Sequence, residues 1–243
     1  GEAKPVGLAL GLIAKAIGGV HGDGKELGYR TLTPRAMYNV DPAGVQVGPS
    51  KANIKSFEGA IADMKKNPKG WNLAGGGRLG TWHMSFIEMA LKFGMDPNKF
   101  EWIAAGGAAP SLTELAAGGV DLAPTSLPEA KGLMDAGKIR SLAMMGATRH
   151  PTFADIPTIK EASGVEVVSG SWRGVAAPAG RPDDIRDKLV KALRQVWESE
   201  DFKNGMDKYG YGMDWKQGEE FTQHLIANDE AVGNILRAVN AIK

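Results

Sequence analysis

Short apolar runs alternate with segments of helical period along most of the chain, and that alternation predicts an α/β protein. The run VQVG at 45–48 reads as a strand. Ser56 is placed to cap a helix in which Phe57, Ile61 and Met64 share one face, and Asn67-Pro68 ends it. WNLA at 71–74 is a short strand, followed by clustered glycines and a helix through MSFIEMALKF that stops at Gly94. EWIAA is a strand, and PSLTELAA is a helix with Pro110 in its first turn and Gly118-Gly119 as its stop. The unit repeats: VDLA is a strand, Thr125 or Ser126 caps a helix that starts near Pro128, and IRSLAMM is another strand. SWRGVAAP at 171–178 is a strand that ends in proline. After it, RPDDIRDKLVKALRQVWESEDF reads as one amphipathic helix with acidic residues in its first turn, and a final helix follows Gly218. Consecutive helices without strands between them predict a C-terminal segment that wraps back over a sheet.

Composition narrows the function classes. With 29 basic against 28 acidic residues the net charge is +1, so no broad field exists to hold nucleic acid or an anionic membrane. Any anion must be bound locally. The chain has no cysteine, which excludes disulfides and thiolate metal sites. The apolar stretch VGLALGLIAKAIGGV is interrupted by Lys15 and four glycines and is too short to span a bilayer. The first residues do not read as a signal peptide, so the chain is expected to be a soluble protein in mature or trimmed form.

Gly75, Gly77 and Gly80 match G-x-G-x-x-G between a strand and a helix, the spacing of a dinucleotide-binding turn. That chemistry also asks for an acid at the end of the next strand to hold a ribose, and EWIAAGG offers alanine and glycine there. No Gly-Lys-Ser/Thr follows, which disfavours a P-loop. Two readings remain open: a tight turn with no ligand, or a loop whose backbone N–H groups and helix N-terminus receive some other anion. AAGGAAPS and APTSLPEA also join strands to helices through small or hydroxylic residues. Three such loops at the carboxyl ends of strands predict a shared ligand.

Single candidates carry less. His83 could donate to an anion from the first helical turn, or could simply be packed. His21, His150 and His224 lie in other segments, and no H-x-x-x-H spacing supports a metal. Asp121 could be catalytic, although an acid at a strand start commonly satisfies backbone N–H groups. Arg173 interrupts an apolar strand, where a guanidinium must reach water or a carboxylate. Trp82 and Trp172 fit a core. With no Gly-x-Ser-x-Gly elbow, cysteine nucleophile or acid/base pair, the reading expects no turnover, no cofactor and no metal.

The segments GGG with His83 (75–83), AAGGAAPSLTELAAGGVD (104–121), LMDAGKIRSLAM (133–144), FADIPTIKEA (153–162) and SWRGVAAPAGRPDDI (171–185), with Asp155-x-Pro157-Thr158 among them, resemble the Bug-type solute-binding receptors of tripartite tricarboxylate transporters. The resemblance runs from about Tyr29 to the C-terminus. It implies a type 2 periplasmic binding protein of two α/β lobes joined by crossing strands. Such a receptor is a periplasmic monomer that closes on a small carboxylate in an interlobe cleft and delivers it to two membrane permease subunits, without binding nucleic acid. Lobe one would comprise 1–48 with 172–243 and lobe two 49–171, with VQVGPS and VVSGSWRG as the crossing strands. The ligand would meet Gly75, Gly76, Gly77, Arg78, Gly80, Thr81 and His83 in the first loop. Gly107, Ala108, Thr125 and Ser126 follow in the next two, with Trp172 and Arg173 on a crossing strand. Family members commonly carry an aromatic-basic pair where this chain has Ala105-Gly106, which points to a different or bulkier far end of the ligand. The family's first βα unit is expected to precede residue 1. The alternatives are a dinucleotide-binding enzyme and a sensor module with the same fold.

Overall fold

The computed structural model describes residues 9–10, 32–178 and 182–240. Tyr29 and, apart from Ala9 and Leu10, the apolar stretch 6–20 lie outside the described residues. The described chain divides into two compact units. One takes the described residues up to Val40 together with those from Trp172 onward, and the other spans Asp41–Ser171.

The Asp41–Ser171 unit is built on strands β3 (Gly44–Val47), β4 (Asn72–Ala74), β5 (Glu101–Ile103), β6 (Leu122–Ala123) and β7 (Arg140–Met144), in the order β5-β4-β6-β3-β7. β4 is parallel to both β5 and β6, so these three strands end on the same edge of the sheet. β3 runs antiparallel to β6 and β7. Helices α1 (Phe57–Lys66), α2 (Thr81–Lys92) and α5 (Ile159–Ser163) bury Phe57, Met64, Phe86, Met89 and Ile159 with Trp71, Leu73 and Trp102 in one core. Helices α3 (Ala108–Ala117) and α4 (Leu127–Asp135) bury Leu112, Leu115 and Ala130 in a second, with Ala74, Ala123 and Ile139. The buried positions Val45, Val47, Leu73, Ala74, Trp102, Leu122, Ala123 and Ala143 on these strands supply the sheet's share of the two cores, because helices cover both of its faces.

Local signals explain the helix bounds. Ser56 accepts a hydrogen bond from Gly59 N–H at the start of α1, and Asn67 leaves helical geometry before Pro68. Gly118 takes a left-handed conformation after α3, the usual C-terminal stop. At α5, Thr158 and Glu161 exchange hydrogen bonds in a capping box.

The other unit carries β1 (Ala9–Leu10), β2 (Leu32–Pro42), β8 (Gly170–Pro178) and β9 (Met213–Gln217) in the order β1-β8-β2-β9. Helix α8 (Gly218–Ala238) places Phe221 and Leu225 against Met37, Trp172 and Ala176. Helices α6 (Asp183–Glu198) and α7 (Glu200–Tyr209) complete the unit.

Three sequence expectations are corrected. The first crossing strand is β2, not VQVGPS: β3 pairs only inside the second sheet, and the first unit ends at Val40 rather than at residue 48. The amphipathic segment after Pro182 is two helices, because Ser199 turns extended and caps α7 by accepting from Phe202 N–H. A strand, β9, separates α7 from α8, so only α6 and α7 follow one another without a strand between them.

Candidate functional site

The carboxyl ends of β4, β5 and β6 lead into α2, α3 and α4 through Gly75–Gly80, Ala104–Gly107 and Pro124–Ser126. The first two loops touch: a Cβ built on Gly76 would lie 3.5 Å from Gly107 Cα. The two residues hold φ values of +99° and +148°, which side chains rarely tolerate, so glycine is needed at each for conformation. Gly75 has no room either, since a Cβ there would stand 2.7 Å from Trp102 Cη2 and 2.8 Å from Trp82 Cβ.

The helix starts differ in a telling way. In this unit α1 and α5 are capped by their own Ser56 and Thr158 side chains. α2, α3 and α4, which begin at the three loops, have Gly80, Gly107 and Ser126 at the cap position and no side-chain cap. Ser126 carries a hydroxyl, yet donates it to Glu129 at 2.6 Å. The first N–H groups of these three helices are thus left without the side-chain acceptors used at α1 and α5, and each helix end bears partial positive charge. Such an edge can receive an anion through backbone donors.

Thr125 adds a hydroxyl. The residue is fully buried, its N–H donates to Gln46 Oε1 at 3.1 Å, and its carbonyl accepts from Gln46 Nε2 and Gly44 N–H. Its Oγ1 makes no hydrogen bond among the described residues. An unsatisfied buried hydroxyl costs about 1–3 kcal/mol, which a ligand oxygen or a water would relieve.

His83 and Trp102 shape the first loop. Leu79 has φ +57°, a left-handed conformation that costs a side-chain-bearing residue about 1–2 kcal/mol. Its N–H donates to His83 Nδ1 at 2.9 Å. The His83 ring lies on Trp102 with 4.3 Å between centroids, and Trp102 Nε1–H donates to Gly76 O at 3.2 Å. Burial, and secondarily the charge of Arg78, push the His83 pKa down to about 4, so the ring is neutral at pH 7. Sequence reasoning missed Trp102; the signal was a tryptophan on the strand next to a glycine turn. Gly77 and Arg78 are exposed, while Gly80 and Thr81 are half-buried and Ala108 is buried.

Other candidates have other work. Asp121 accepts from Ser50 Oγ at 2.7 Å and from Asn72 N–H at 2.8 Å, tying strand starts together at the opposite edge of the sheet. Trp172 and Arg173 lie in the other unit. Trp172 packs edge-on against Phe221 at 5.8 Å and His224 at 5.4 Å. Arg173 Nη1 donates to Asn39 Oδ1, and the guanidinium stands 5.4 Å from the Tyr211 ring. Asn39, buried on β2, also donates to Gly212 O at 2.6 Å and escaped the sequence reading. An apolar cavity of about 210 Å³ in that unit, lined by Tyr38, Val175, Leu193, Trp197, Phe202 and Trp215, offers almost no polar surface and does not suit a carboxylate. Among the described residues no three acids or histidines cluster as metal ligands, and no helix is long and apolar enough to cross a membrane.

Residues 2–240 match the tripartite tricarboxylate transporter family receptor model, TctC. The UPF0065 protein in the gbd 5' region of Cupriavidus necator is 27% identical over 201 residues, which cover 80% of this chain and 60% of that protein. The chain therefore spans less than two thirds of that relative's length. A TctC solute-binding protein from Polaromonas, solved without ligand, is 25% identical with a TM-score of 0.78, covering 95% of this chain and 77% of its own. The R. palustris protein Rpa4515, solved with adipate, shares the fold at 24% identity and a TM-score of 0.79, covering 97% and 77%. With the family model matched along nearly its whole length, this chain belongs to the TctC family of tripartite tricarboxylate transporter receptors.

Proposed function

We propose that this protein is a periplasmic receptor that captures a small carboxylate on the loops ending β4, β5 and β6 and passes it, chemically unchanged, to the membrane subunits of a tripartite transporter. The observation that carries the reading is the set of three helix N-termini without side-chain caps at one sheet edge, with the Thr125 hydroxyl beside them in sequence. A carboxylate would accept from those N–H groups and meet the helix dipoles without the desolvation cost of several buried cations. The membrane partnership and the periplasm rest on family membership. The family is one of receptors, and the site holds neither a nucleophile–base pair nor a ribose acid after β5, where Ala104 and Ala105 stand. A thermal-shift panel of butyrate, malate, adipate, citrate and NAD tests the reading. A carboxylate at about one hundred times its Kd should add about 2.7 kcal/mol of stability and raise Tm by roughly 5–10 °C. A response to NAD with none to the acids would overturn it.

Thr125→Val separates a ligand role from a structural one. Valine matches the shape and removes the unsatisfied hydroxyl, so the ligand-free protein should be as stable as before or up to about 1 kcal/mol more stable. Carboxylate affinity should fall about tenfold, because a hydrogen bond to a charged oxygen is lost. Calorimetry showing unchanged affinity would assign the hydroxyl to the protein's interior alone.

A further inference from the structure

We infer that His83 and Trp102 are positioning residues for the anion loop, with His83 acting through Nδ1 as an acceptor for the loop backbone rather than as a donor to the ligand. The inference rests on the reading that the loop takes a carboxylate. Its starting point is Leu79, which bears a side chain and yet holds φ +57° in the middle of the loop. Strain of this kind persists only where the surroundings fix it, and it concentrates at ligand sites. Two groups from outside the loop fix it here. His83, in the first turn of α2, accepts the Leu79 N–H at 2.9 Å. Trp102, on β5, donates to Gly76 O at 3.2 Å. The two rings lie on one another, and Trp102 fills the space where Gly75 lacks a side chain. The loop is thereby pinned at Gly76 and at Leu79, on either side of the exposed Gly77-Arg78 tip.

The consequence is preorganisation. A loop of glycines free in solution would lose conformational entropy when its amides gather round an oxyanion, whereas a pinned loop has its donors in place beforehand. The depressed His83 pKa agrees with an acceptor role, since Nδ1 must be unprotonated at neutral pH to receive the Leu79 hydrogen.

Side-chain mimicry distinguishes the two roles of His83. Asparagine places its Oδ1 near the Nδ1 position and can still accept from Leu79; glutamine places its amide nitrogen near Nε2 and could replace a direct donor. The experiment titrates adipate and citrate into wild type, His83→Asn, His83→Gln and His83→Leu by calorimetry and follows amide hydrogen exchange at Leu79 without ligand. His83→Asn is expected to bind within about twofold of wild type and keep Leu79 protected. His83→Gln and His83→Leu should bind about tenfold more weakly and exchange Leu79 about tenfold faster. Trp102→Phe keeps the ring and loses the N–H, and should weaken binding about fivefold with the Leu79 bond intact. Rescue by glutamine and not by asparagine would make His83 a direct ligand donor and overturn the inference. So would Leu79 exchange that is identical in all four proteins. If wild type bound neither acid, the carboxylate reading would be at fault, and the Leu79 exchange series would still decide whether His83 holds the loop.

Discussion

Gly170→Ala is expected to destabilise the protein by on the order of 3 kcal/mol, the upper part of the range for overpacking a tight site. Gly170 opens β8, and Asp41-Pro42 closes β2, where the chain passes from one unit to the other. A Cβ on Gly170 would stand 2.2 Å from Asp41 O and 2.9 Å from Pro42 Cα. Both are backbone atoms, so no rotamer change can make room and the crossing strands themselves must separate. Gly132, in α4, is the control: among the described residues a Cβ there meets nothing within 4 Å, and Gly132→Ala should stabilise by up to about 1 kcal/mol through helix propensity. Denaturant unfolding of the two variants beside wild type checks the pair. A Gly170→Ala midpoint equal to that of wild type would mean that the crossing is not tightly packed.

Acid should destabilise the protein through His83, and the sign follows from its surroundings. The ring's pKa is pushed down to about 4 by burial first and by Arg78 second, against about 6.5 in an unfolded chain. Its contribution is fully present above pH 6.5 and drains away as the pH falls toward 4, because only the unfolded chain takes up the proton in that window. The full loss is on the order of 3 kcal/mol, about 1.4 kcal/mol for each pH unit. His83→Asn removes the titrating group while keeping an acceptor, so its stability should fall less steeply between pH 6.5 and 4. His150 and His224, pushed down by burial, and Glu88, pushed up by burial, titrate in both proteins and cancel in the difference. Parallel stability curves for wild type and variant across this window would remove His83 as the cause.

The elements bounded by local chemistry were legible from the residues alone. Ser56 with Asn67-Pro68 marked α1, and Gly118 marked the end of α3, because caps and breakers act within a few residues. β2 and β9 were not legible. LTPRAMYNVDP contains two prolines, and in both it and MDWKQ the alternation of apolar and polar residues lasts only about four residues amid polar neighbours, too short to mark a strand; pairing with partners distant in sequence forms them. The break at Ser199 did leave a signal, since serine before Glu200-Asp201 is an N-terminal cap pattern, but the continuous amphipathic period overrode it. At the site, the glycine loops and Thr125 could be named from composition and order. The partnership of Trp102 with Gly76, and the choice of nitrogen on His83, depend on how β5 pairs with β4 and on the turn into α2.

The central claim is that a carboxylate is held by backbone N–H groups at three neighbouring helix starts. Amide chemical shifts recorded while adipate or citrate is added to the intact, isotope-labelled protein test it most directly. The account predicts that the largest changes fall at Gly76 to Thr81, at Gly107 and Ala108, and at Thr125 and Ser126, and that they saturate together with a single Kd. Saturable binding with those amides unmoved and the changes concentrated elsewhere would contradict it.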